Sequence, residues 1–184
     1  MLTLFVQTGV VSGIDRRLDR HLDLLGGTNW SWLAVLADPF VTAALFAAGF
    51  LVLRRRSQTQ QAWAWVLALV IGLTVEVAFK AWVDQIPFAP AERVFDLVSL
   101  TNTYPSGHAM RAVLLAGLAT AVIPRYAWVW ASYAAFVVVW VVVSGMHRVS
   151  DAAGGALLGA TLVTAVNCHR TRALGRARGA GVVD

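Results

Sequence analysis

Five stretches of the chain carry long apolar runs with few charges: Ser31–Leu53, Ala62–Val83, Ser106–Ile123, Tyr126–Met146 and Ala152–Cys168. Each reaches or approaches the roughly 20 residues that a transmembrane helix needs. The fourth is the clearest, running from Phe136 to Val143 without a charge. The fifth is short, and its Gly155 and Gly159 read as a point of tight helix packing. Ahead of these spans, Met1–Gly13 is apolar but too short to cross, and it lacks the leading positive charges of a signal peptide. Around Asp15–Leu25, the residues Ile14, Leu18, Leu22 and Leu25 share one helical face, with Arg16, Arg17, Asp19, Arg20 and Asp23 elsewhere. That pattern predicts an amphipathic helix lying in the interface. The fold expected is therefore all-α: a polytopic transmembrane helical bundle of about five spans plus an N-terminal amphipathic helix. It forms one membrane-embedded domain over 1–184, with 1–30 interfacial and 169–184 a basic tail.

Composition agrees with the pattern. Of the 184 residues 58% are hydrophobic and 14% charged, against about 45–50% and 25% in soluble domains. So much apolar surface could not be buried in one small soluble core, and a chain with this little charge is not disordered. The single cysteine, Cys168, excludes a disulfide framework. The net charge of +5 would suggest nucleic acid in a soluble protein. Here, however, the arginines cluster at the ends of apolar runs, at Arg54–Arg56 and at Arg170, Arg172, Arg176 and Arg178. That placement marks cytoplasmic loops and anionic lipid, so membrane lipids are the expected partners and nucleic acid is not. With these loops inside, the connections Asp84–Pro105 and Ser144–Asp151 both face outward.

Ionisable groups inside apolar segments each cost about 2.5–3.5 kcal/mol on insertion scales, so those present need a reason. Asp38, Glu76, Lys80, His108, Arg111, His147 and Asp151 gather near the outward ends of their spans. Pro105-Ser106-Gly107-His108 is a helix start: serine caps the first turn, and glycine leaves the backbone open to approach. Such a start suits an anion, phosphate in particular, and a histidine on it can move a proton. It also reads as an ordinary cap. His147 and Asp151, four residues apart, are expected on one helical face, with the carboxylate fixing the imidazole tautomer. Lys80 follows Glu76 in the favourable order for an ion pair, either to meet a phosphate or to neutralise it. His21 and His169 lie in basic flanks, and no metal motif is present; neither a metal nor another cofactor is expected.

Taken together, these residues resemble the type-2 phosphatidic acid phosphatase superfamily of integral-membrane lipid phosphatases. Its signatures are K-x6-R-P, P-S-G-H and S-R-x5-H-x3-D. The second is complete at Pro105–His108, the third is present as His147 and Asp151, and the first is represented by Lys80 alone. The resemblance runs from about Asp38 to Gly159. It implies six helices in most members, although the usual first helix would precede Ile14, where this chain has no full apolar span. It implies a metal-independent phosphatase acting on a polyprenyl phosphate or diphosphate, phosphatidate or phosphatidylglycerophosphate. His147 would be the nucleophile carrying a phosphohistidine, Asp151 its orienting partner, and His108 the proton donor and acceptor. Lys80, Ser106 and Gly107 would hold the phosphate, at the extracytoplasmic side of the cell membrane.

Two signature arginines are absent. Pro87 and Phe88 stand where Arg-Pro is expected, and Trp140-Val141 where Ser-Arg is expected. Arg111, three residues beyond His108, either replaces part of that charge on the phosphate or pairs with Glu76 or Asp38. The departures leave open a catalytically weak lipid-phosphate-binding or accessory protein, and a phosphotransferase using the same intermediate.

Overall fold

The computed structural model describes residues 37–83 and 103–179, with side chains to residue 171. In chain order its helices are α1 (Pro39–Arg55), α2 (Thr59–Trp82), α3 (Gly107–Val122), a short 3-10 turn at Pro124–Tyr126, α4 (Ala127–Val143) and α5 (Val149–Gly179). Among the described residues there is no strand. Three segments are long and apolar enough to cross a membrane: Thr59–Trp82, Pro124–Val143 and Val149–Thr171. The protein is an all-α integral-membrane bundle.

The centre of that bundle is its shortest apolar helix. On α3, Met110, Leu114, Leu115 and Leu118 pack with Phe46 and Leu53 of α1, Trp65 and Ala68 of α2, and Val166 of α5. Ala112 closes a second cluster with Val137 and Val141 of α4 and Ala152 of α5. At 16 residues, α3 is about 24 Å long, less than the roughly 30 Å hydrocarbon layer. Protein on all sides relieves it of the need to match that thickness. The outer helices instead expose large apolar side chains, among them Trp63, Leu67 and Val70 on α2 and Trp128 and Val139 on α4. In a bilayer these face lipid.

Two helix starts and one helix end are fixed by side chains. Asp38 opens α1: its carboxylate accepts the amides of Phe40 and Val41 at 2.9 and 3.2 Å, and Pro39 supplies a preset first position. Ser106 opens α3 by accepting the Ala109 amide at 3.3 Å. At the opposite end, Arg56 Nη1 donates to the Val122 carbonyl at 2.7 Å and so satisfies one of the orphan carbonyls of α3.

The helices α3 and α5 meet through glycine. A Cβ on Gly155 would sit on the Ser106 carbonyl oxygen, and one on Gly159 would lie 2.9 Å from the Met110 carbonyl oxygen. The glycine pair thus does what small residues do between membrane helices, letting two backbones touch.

The observed bounds correct several expected ones. α1 begins at Pro39, where Asp38 caps it, instead of at Ser31, and residues before 37 lie outside the described part. α4 stops at Val143, before a turn in which Gly145 adopts φ 71°. α5 starts three residues early and continues to Gly179, because hydropathy marks where a span leaves the apolar layer and not where its hydrogen-bond ladder stops. The expected N-terminal amphipathic helix and most of the Asp84–Pro105 connection, Arg93 included, also lie outside the described residues.

Replacing Gly155 by Ala is expected to lower stability by about 1–3 kcal/mol, because the neighbour is backbone and cannot rotate away. Leu157→Ala, on a side chain 58% exposed, serves as a control with little effect. Thermal unfolding of both variants in detergent checks this.

Candidate active site

The N-termini of α1, α3 and α5 and the C-termini of α2 and α4 share one end of the bundle. Two of these N-termini are joined directly, the Ser106 amide donating to the Asp151 carbonyl at 2.9 Å. That hydrogen bond sets the first turn of α3, which carries His108, beside the first turn of α5. The first turns of both helices bring the positive ends of their dipoles to the same place.

His108 and His147 face each other there, with ring centroids 6.1 Å apart and planes inclined by 57°. His147 lies in the turn before α5, not on the helix as its spacing from Asp151 suggested, because α5 begins only at Val149. Its main-chain amide donates to the Val141 carbonyl at 2.9 Å, which ties the turn back onto α4. Asp151 is fully buried in the first turn of α5. Its Oδ2 accepts the Arg148 amide at 3.2 Å, the reach-back half of a capping box. The same oxygen stands 3.8 Å from His147 Nδ1, beyond hydrogen-bond range but close enough to attract an imidazolium. Catalytic hydrogen bonds are often this long before substrate tightens them. Among the described residues, His147 Nδ1 and Asp151 Oδ1 are both buried without a hydrogen-bond partner.

A second polar group lies on the α2 side. Glu76 is buried, with Oε1 accepting from Lys80 Nζ at 2.8 Å and Oε2 from Arg111 Nη1 at 3.1 Å. Arg111, only 5% exposed, also donates from Nε to the Ala37 carbonyl at 2.7 Å. Of the two readings left open for Arg111, the structure displays the pairing with Glu76; Asp38 is engaged in capping α1 instead. Gly107 has a role its sequence context did not reveal. A Cβ there would land on Glu76 Oε1, so the glycine admits the carboxylate to the first turn of α3. Tyr104 is buried against Gly154, whose added Cβ would meet its ring at 2.6 Å, and stacks edge-on with Phe79.

Ser106, Gly107, His108, His147, Asp151, Lys80 and Arg111 therefore occupy one end of the bundle, as expected. The Glu76–Arg111 contact, across 35 positions, is the one of the two alternatives left open for Arg111 that the structure holds. Its one signal was a carboxylate in an apolar span with two cations within reach. Val141, at the position where an arginine was expected, is fully buried in the apolar cluster of α3, α4 and α5. Pro87 lies outside the described residues. Among the described residues, no three or more His, Cys, Asp or Glu side chains are grouped to hold a metal ion.

Residues 77–173 match the family model of the PAP2 superfamily, and the chain belongs to that superfamily. Among solved structures it is similar to the crystal structure of the first transmembrane PAP2 type phosphatidylglycerolphosphate phosphatase from Bacillus subtilis. The TM-score is 0.73 at 20% identity, covering 93% of this chain and 91% of that one. No curated protein matches the chain. The class so defined is the transmembrane PAP2 fold.

Gly107→Ala is expected to force Glu76 away from Lys80 and Arg111, at a cost of about 1–3 kcal/mol. Thermal unfolding in detergent measures it, with Gly107→Ala in a Glu76→Ala background as the test of cause. Because the added Cβ would also meet Arg111 Nη1 at 2.6 Å, the glycine replacement should cost less there without becoming silent.

Proposed function

We propose that the protein hydrolyses the phosphate of a membrane lipid, a phosphomonoester or diphosphate, through a phosphohistidine. The observation that carries this reading is the pair of imidazoles 6.1 Å apart at two joined helix N-termini. A phosphoryl group that reached both rings would meet a helix start that favours its negative charge.

In this mechanism His147 Nε2 attacks phosphorus while Asp151 faces Nδ1 and stabilises the cation that forms. The phosphorus–oxygen bond to the lipid breaks as His108 gives its proton to the leaving oxygen. His108 then takes a proton from water, whose oxygen attacks the phosphohistidine and releases inorganic phosphate and free His147. Ser106, Gly107, Lys80 and Arg111 supply positive potential around the phosphoryl oxygens, the contribution that dominates most phosphoryl transfer. The lipid tail lies along the apolar helices. Polyprenyl phosphate or diphosphate, phosphatidate and phosphatidylglycerophosphate all fit this description; the Bacillus neighbour is a phosphatidylglycerolphosphate phosphatase. Arg54–Arg56, Arg125 and Arg170 lie at the end of the bundle opposite the histidines, which by the positive-inside tendency supports a site on the extracytoplasmic face of the cell membrane.

A second reading, a lipid-phosphate binder with little turnover, is favoured by one observation. Lys80 and Arg111 are already engaged by Glu76, and Val141 replaces a signature arginine. Phosphate release from a panel of lipid phosphates, with the full chain in detergent, separates the two. Hydrolysis is expected, with His147→Ala abolishing it and Asp151→Asn lowering it by about 100-fold or more. Acid quenching during turnover should trap an acid-labile phosphoryl group on the wild type and none on His147→Ala. Tight lipid binding with no hydrolysis would establish the binder instead.

A further inference from the structure

Glu76 takes no part in the histidine chemistry, yet its carboxylate joins most of the positive charge on this side of the site. Lys80 Nζ lies at 2.8 Å from one of its oxygens and Arg111 Nη1 at 3.1 Å from the other. Gly107 is shaped around the same group, since any side chain there would displace Oε1. Three residues assigned to phosphate thus meet on one buried carboxylate.

Neutralising a lone buried arginine would need only one acceptor. Glu76 instead divides its two oxygens between two cations on different helices, one of them a flexible lysine whose side chain is 20% exposed. Without that tether, the two like charges now held on one carboxylate would repel each other, and Lys80 would lose this partner. We infer that Glu76 is a positioning residue that holds Lys80 and Arg111 as one preassembled cationic pair beside the first turn of α3, in place of the two signature arginines. It rests on the phosphatase reading and deepens it by naming what builds the phosphate clamp.

The test compares wild type, Arg111→Gln and the charge-balanced Glu76→Gln/Arg111→Gln in the full chain, measuring thermal midpoint, kcat and KM for a lipid phosphate, and inhibition by inorganic phosphate. The balanced variant leaves no buried arginine unpaired and is expected to unfold near the wild-type midpoint. Its kcat/KM should nonetheless fall about 10- to 100-fold below that of Arg111→Gln, with KM raised and phosphate inhibition weakened, because Lys80 has lost its anchor. Equal kcat/KM in the two variants would reduce Glu76 to a neutraliser of Arg111 and overturn the inference while leaving the phosphatase reading intact. Glu76→Asp keeps the charge but is too short to bridge both cations. It is expected to fold and to lose about tenfold or more in kcat/KM; wild-type turnover in it overturns the inference too. A wild-type protein that hydrolyses no lipid phosphate overturns both readings together.

Discussion

The backbone of Ser106 is held by α5 from two directions. Its amide donates to the Asp151 carbonyl, and its own carbonyl occupies the volume that a side chain on Gly155 would take. This contact decides the distance between the first turns of α3 and α5, and so the distance between His108 and the turn that carries His147. Because both groups are main chain, the spacing has little freedom to relax. Buried amides and carbonyls in an apolar layer must be paired, which makes the seam a condition of folding as well as of geometry.

Around that seam the site divides into two electrostatic halves. On the α5 side a fully buried carboxylate caps its own helix and faces an imidazole. On the α2 side another buried carboxylate holds a lysine and an arginine. On the α5 side the anion is more buried than the imidazole it faces, and on the α2 side Glu76 is more buried than Lys80 while Arg111 is as buried as Glu76. Buried charges left alone in a bilayer are expensive, and pairing reduces that cost. The pairing here leaves His147 and Lys80 as the more exposed member of each half.

Much of this was legible in the residues. Long apolar runs located the helices, Ser106 gave a cap that formed as read, and the Pro105–His108 and His147–Asp151 stretches lay at one end of the bundle. The failures have identifiable causes. The start of α5 was misplaced because Arg148 and Asp151 form the cap through a main-chain amide, a pattern that periodicity does not register. The end of α5 was misplaced because arginines continue a helix after they have ended a span. Glu76 was recognised as the neighbour of Lys80, an i,i+4 relation visible on one helix. Its bond to Arg111 was one of two alternatives left open, and the packing of α2 against α3, which no local pattern encodes, decides it. Gly107 looked like an opening for ligand and proved to be an opening for Glu76.

One small contact couples orientation to architecture. Arg56 sits in the cationic turn between α1 and α2, and its guanidinium also closes the far end of α3 by binding the Val122 carbonyl. The residue that helps tell the insertion machinery which way to thread the chain is thus also a bolt on the central helix. Charge swaps designed to invert the protein in the bilayer would loosen that bolt at the same time, so a lost signal from such a swap could report a disturbed bundle as readily as a flipped one.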